Sequence, residues 1–172
     1  TTSAGISPTQ ANSSPLVIKY NSSGTYLACL YVTQSVGGQQ FAGMGFDSSS
    51  NIYICGNYQG SSTIQNFSTT LGGSSTGIAY PSASLQSAQL LQYNSSGTYT
   101  ASTMLPYSTS TYNSYQNQIA VYGNSVYVIG YYTGTALTLY NLTGTPNTSA
   151  TWSSCCAPVA ASTSRSSAAV AA

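Results

Sequence analysis

Only three side chains in this 172-residue sequence carry formal charge: Lys19, Asp47 and Arg165, with no histidine. General acid–base chemistry needs a His, Asp, Glu, Lys, Tyr or Cys set beside a partner. One acid cannot supply the carboxylate pair of a glycosidase. Without histidine no Ser-His-Asp or Cys-His nucleophile can be built. Asp47 reads as a turn residue whose carboxylate bonds the amides that follow it. Lys19 reads as a strand residue that reaches solvent with its tip. A net charge of +1 offers no basic face to nucleic acid. No Gly-rich strand-to-helix loop is present to cradle phosphate. The expectation is a protein that is not an enzyme and uses no cofactor or metal.

Two other residue types carry chemistry. Asn12, Asn21, Asn66, Asn94, Asn141 and Asn147 each open an Asn-x-Ser/Thr sequon. With Ser and Thr making up roughly a third of the chain, composition alone supplies three or four such triplets. Asn21 and Asn94 say more, because both sit in a repeated Asn-Ser-Ser-Gly turn that should be exposed, although Asn also has a backbone reason to occupy a turn. Cys29, Cys55, Cys155 and Cys156 lack the paired spacing and the histidines of a zinc site. In a charge-poor chain with sequons they read as oxidised, with Cys29 and Cys55 reaching the tail. Three pairings stay open. The alternative for Cys29 and Cys55 is that of small buried apolar residues.

The surface left by this composition is one of Tyr, Ser, Thr, Asn and Gln. Charged residues make up 2%, against about one-quarter in an average soluble domain. Net charge near zero favours association, so solubility must come from an assembly, from covalent glycans, or from both. Aromatic rings also stack on sugars. Tyr53, Tyr58, Tyr127, Tyr131 and Tyr132 are the rings to watch, with Tyr58, Tyr131 and Tyr132 as candidate glycan-stacking residues. The competing reading is strand packing, which tyrosine favours.

The elements that hold these residues come in duplicate. Leu16-Val17-Ile18-Lys19-Tyr20-Asn21-Ser22-Ser23-Gly24-Thr25-Tyr26 returns as Gln89-Leu90-Leu91-Gln92-Tyr93-Asn94-Ser95-Ser96-Gly97-Thr98-Tyr99. Asn51-Ile52-Tyr53-Ile54-Cys55-Gly56 returns as Ser125-Val126-Tyr127-Val128-Ile129-Gly130. Two ordered matches at nearly one offset mark a duplicated supersecondary unit. Strands are expected over 16–21, 25–33, 41–47 and 51–58, then near 88–94, 98–105, 117–122 and 125–132. Another is expected near 76–81 and one over 135–142. Gly43 and Gly45 mark a place where another backbone comes close. No segment shows a capped helical stripe, and none approaches the roughly 18–20 apolar residues of a membrane span. The expected fold is all-β, as two tandem four-stranded propeller-blade-like repeats, packed or completed by neighbouring subunits. The organisation is an extended arm over 1–14, a first repeat with its connector over 15–87, a second over 88–149 and a Ser/Ala-rich arm over 150–172. The start at Thr1 reads as a mature product or a fragment.

Each copy sets a strand, an Asn-x-x-Gly turn and a second strand ahead of a further hairpin. In the first copy that hairpin carries Asp47 and Asn51-Ile52-Tyr53-Ile54-Cys55-Gly56. With Gly37-Gly38 between the hairpins, this pattern resembles the SBBP-type β-propeller repeats over roughly residues 16–134. The second copy lacks the Gly-Gly and has Tyr122-Gly123 where the aspartate would fall. The resemblance implies blade shape and a secreted or surface setting, and brings no catalytic residue with it.

Two blades are too few for a ring of four to eight. Three closures are open: several chains sharing one propeller, a fragment of a longer array, or copies packed face to face and stacked through their edges. The expectation is an extracellular structural subunit that self-assembles with copies of itself into a filament or surface coat and carries covalent glycans. The alternative is a lectin-like tandem-blade module that binds external glycans.

Overall fold

The computed structural model describes residues 15–31, 39–60, 63–69, 74–79, 83–104, 114–132, 142 and 167–171. Asn12, Asn141, Asn147, Cys155, Cys156 and residues 135–141 of the expected strand lie outside this set. Among the described residues there are eleven strands and no helix. The all-β expectation is therefore met.

Four hairpins carry the repeat. β1 (Leu16–Tyr20) pairs antiparallel with β2 (Tyr26–Tyr31). β3 (Gln40–Phe46) pairs with β4 (Ile52–Gly60). The second copy returns these hairpins as β7 (Ala83–Tyr93) with β8 (Tyr99–Met104), and β9 (Ser114–Tyr122) with β10 (Ser125–Tyr132). Between the copies, β5 (Thr63–Asn66) and β6 (Ser74–Ala79) form a small hairpin of their own. One strand was expected in that connector. The Ser/Ala-rich tail contributes β11 (Ser167–Ala171), in a segment read from sequence as an arm without a core.

The sheets run half a repeat out of phase with the sequence copies. The four-stranded sheet has the order β3-β4-β7-β8. It joins the second hairpin of the first copy to the first hairpin of the second, through the antiparallel pair β4–β7. The first hairpin, β1–β2, is left as a two-stranded sheet, and the last, β9–β10, takes β11 along the free edge of β10. Edges of this kind are what sheet proteins must cover.

Period-two alternation along β4 divides the core. Ile52, Ile54 and Tyr58 point to one face and Tyr53 and Cys55 to the other. The first group clusters with Leu91, Tyr93 and Tyr99 of its own sheet and with Leu30 and Ile64, while Val17 and Ile78 pack against it. The second group clusters with Leu90, Val126 and Val128, against which Ile119 and Val121 pack. The result is three layers: β1–β2 with β5–β6, then β3-β4-β7-β8, then β9–β10–β11. Each fully buried aliphatic or aromatic side chain in the two interfaces contributes about 1.5–3 kcal/mol.

The close approach expected at Gly43 and Gly45 is made by β9. A Cβ on Gly45 would stand 2.5 Å from Val121 Cγ2, and one on Gly43 would stand 3.0 Å from Ile119 Cγ2. The two glycines thus let β9 settle onto the central sheet, a role that a side-chain-free strand position serves.

Candidate functional site

The repeated turns are built alike. Asn21 Oδ1 accepts from Ser23 N (3.1 Å), Ser23 Oγ (2.8 Å) and Thr25 N (2.7 Å). Asn94 Oδ1 accepts from Ser96 N (3.1 Å), Ser96 Oγ (2.6 Å) and Thr98 N (2.9 Å). Backbone bonds close both loops, Gly24 N to Asn21 O at 3.0 Å and Gly97 N to Asn94 O at 2.9 Å. Gly24 and Gly97 adopt φ of 78° and 88°, which only glycine enters freely. With the amide oxygen held by the turn, the nitrogen that would take a glycan lies on the opposite side of the same group. Asn21 is exposed and Asn94 half-exposed. The third described sequon is set differently. Asn66 Oδ1 accepts from Tyr99 N at 2.7 Å, and Ser68 exchanges two backbone bonds with Cys29.

Asp47 is a turn residue, as its lone acid character and spacing suggest. Its Oδ1 accepts from Ser49 N and Asn51 N, each at 2.9 Å. Its Oδ2 accepts from Asn51 Nδ2 at 2.8 Å and from Tyr53 OH at 3.1 Å. The Tyr53 oxygen in turn accepts from Gln92 Nε2 at 2.8 Å, so the network crosses the β4–β7 joint. Burial pushes the carboxyl up, but the bonds from Asn51, Tyr53 and Ser49 outweigh it and hold Asp47 below its ordinary value. A carboxylate with four donors is spoken for. Lys19 is likewise engaged: its ammonium donates to Ser95 O at 2.9 Å.

Of the candidate stacking aromatics, the two described side chains, Tyr58 and Tyr131, do not come together. Tyr58 is wholly buried in the interface between the first and central layers, so it is corrected from a sugar platform to a core residue. The reason is position: β4 is an inner strand of the central sheet, buried on both faces, and Tyr58 falls on the face of Ile52 and Ile54. Tyr53 is buried on the opposite face. Tyr127 and Tyr131 are exposed on β10, while the side chain of Tyr132 lies outside the described set. Cys29 and Cys55 are free and buried, so the expected disulfides from them to the tail are corrected to the alternative of small buried apolar residues. Burial pushes the Cys55 thiol up to about 11, which makes it a poor nucleophile.

The features that set this surface apart lie at the two ends of the layered stack. On the first layer, Leu16 (48% exposed), Ile18 (41%) and Tyr20 (56%) share one face of β1. Their counterparts on β7 include Leu91 and Tyr93, both wholly buried. On the last layer, Tyr127, Ile129 and Tyr131 share the outer face of β10 and are exposed. The counterparts of the first two, Tyr53 and Cys55, are buried. A groove of about 410 Å³ runs beside β1, lined among others by Ile18, Tyr20, Met44 and Phe46. Composition flagged the lack of charge; only the alignment of the two copies onto the layers shows which positions are left open. Among the described residues no helix is long and apolar enough to cross a membrane. Comparison with family models, with curated proteins and with solved structures finds no match.

Proposed function

We propose that this chain is a non-enzymatic structural subunit that assembles with copies of itself into an extracellular filament or surface coat and carries N-glycans on its exposed turns. The observation that carries this reading is the pair of open apolar faces, Leu16-Ile18-Tyr20 at one end and Tyr127-Ile129-Tyr131 at the other. Contiguous exposed apolar surface marks an interaction site. With three charged side chains in the whole chain, such faces meet without desolvating ions. The blade-like pattern of the sequence points the same way, since a blade of this kind needs neighbours on both faces. The glycan part is supported by the geometry at Asn21, where the side-chain oxygen is tied into the turn and the residue is exposed.

Sedimentation of the purified chain at neutral pH, followed by electron microscopy, tests the assembly. Filaments or sheets are expected at micromolar concentration, and a folded monomer there overturns the proposal. Closed rings of a few chains that bind sugars would favour the lectin alternative, for which Tyr127 and Tyr131 are exposed aromatics. Intact mass tests the glycans. A native mass equal to the bare polypeptide removes that part of the proposal.

A further inference from the structure

The two open ends carry the counterparts of a strand pair that the molecule already contains. Inside the chain, β4 and β7 pair antiparallel with Ile52 opposite Tyr93, Tyr53 opposite Gln92, Ile54 opposite Leu91 and Cys55 opposite Leu90. At the end of the second copy β10 stands where β4 stood, and among the described residues the strand beside it is not a counterpart of β7. β11 fills the place. It pairs antiparallel with β10, setting Val170 opposite Val128 and Ala169 opposite Ile129. The first copy shows the mirror arrangement. β1 is the counterpart of β7, and among the described residues it pairs with β2 alone.

We infer that, in the self-assembly proposed above, β1 of one copy displaces β11 from β10 of another and pairs with that β10 in the register of β4 and β7. The register is fixed by the repeat. Val126 comes opposite Tyr20, Tyr127 opposite Lys19, Val128 opposite Ile18 and Ile129 opposite Val17. Strand addition to a sheet edge supplies main-chain hydrogen bonds, and alternating side chains supply specificity. Here the alternation is right on both faces. Ile18 and Tyr20 join Val126 and Val128 on the side packed against the central sheet, as Leu91 and Tyr93 join Ile54 and Ile52. Val17 joins Ile129 on the side that meets the next layer, as Leu90 joins Cys55.

A second contact follows from the same superposition without further assumption. β9 packs Val121 onto Gly45 and Ile119 onto Gly43 of β3. Phe46 and Met44 are the counterparts of Val121 and Ile119, and both are exposed along the groove beside β1. The β9 that arrives with β10 from the other copy would cover them, setting Ala120 and Gln118 where Gly45 and Gly43 stand. Ala120 is small and exposed, as a residue receiving Phe46 must be. The contact is head-to-tail, so it repeats from copy to copy.

The test uses disulfide trapping in a C155S/C156S background, with Cys29 and Cys55 buried. V17C chains and I129C chains are mixed and oxidised. A linked dimer of twice the chain mass is expected from the mixture and not from either chain alone. Deleting 167–171 should raise its yield several-fold. V128C/V170C, which ties β11 to β10 within one chain, should lower it at least tenfold, with recovery on reduction. A120R alters an exposed residue and should block the dimer while the circular dichroism spectrum stays unchanged. If polymers form equally well with β11 tied down, and V17C and I129C never link, the inference is overturned while the self-assembly proposal stands. If the link forms but the full chain never polymerises, the edge pairing is upheld and the filament reading fails.

Discussion

The hairpins β1–β2 and β7–β8 share a turn almost atom for atom and live in different surroundings. Asn21 and Asn94 each gather three donors onto Oδ1, and both glycines are left-handed. Nothing lies within 4 Å of a Cβ placed on Gly24, whereas one on Gly97 would stand 2.5 Å from Phe67 Cβ. Tyr20 is 56% exposed and Tyr93 is wholly buried, edge-on to Phe67 and Tyr99 with ring centroids 5.4 and 6.0 Å apart. A local sequence thus fixes a turn, and position in the stack fixes what that turn is worth.

The sharpest break in this comparison should come from the tyrosines. Tyr93→Ala is expected to destabilise the chain by about 3–5 kcal/mol, as for a buried aromatic. Tyr20→Ala should cost under about 1 kcal/mol, because its face is open. Urea unfolding of the dispersed chain measures both. Equal losses would mean that the face of β1 is covered after all. The glycines come next. Gly97→Ala adds overpacking against Phe67 to the left-handed strain, for a loss of about 3 kcal/mol. Gly24→Ala meets the strain alone, about 1–2 kcal/mol. Similar unfolding midpoints for the two variants would contradict the burial of Gly97.

The amides sharpen the likeness instead. Asn21→Ala and Asn94→Ala remove matching hydrogen bonds and should lower stability by nearly the same amount, about 1 kcal/mol each. A large gap between them would show that the turns are not equivalent. The smallest effect concerns the hairpin ends that differ between copies. Asp47 closes β3–β4, while Gly123-Asn124 closes β9–β10. Because the folded state holds Asp47 below its ordinary value, its contribution is present above the unfolded carboxylate value near 4 and is lost as pH falls through the lower folded one. Thermal melts from pH 6 down to 2 should fall for the native chain and stay flatter for Asp47→Asn. Parallel curves would remove Asp47 from the acid response.

Much of the architecture was legible because it is local. The Asn-Ser-Ser-Gly turns, the four main hairpins and the close approach at Gly43 and Gly45 all follow from turn chemistry and from alternation over a few residues. The phase of the sheets was not legible. A repeat fixes a period but not the point at which one sheet stops and the next begins. That point is chosen by whether β4 pairs across the copy boundary, a contact set by packing over the whole stack. β11 gave no signal either, since Ser-Ala-Ala-Val-Ala has little alternation and its pairing rests on an edge that β10 offers. The burial of Tyr58 was not readable from β4 alone: parity with Ile52 and Ile54 names its face, but only the layers on both sides of β4 bury it.

The half-repeat phase also decides what a change in gene length would do. The four-stranded sheet takes its halves from consecutive copies, so inserting another copy of about 73 residues between the two would add one whole layer, roughly 10 Å thick. The first hairpin and the last hairpin would be the same as before. Chain length is thereby uncoupled from the identity of the two outer hairpins.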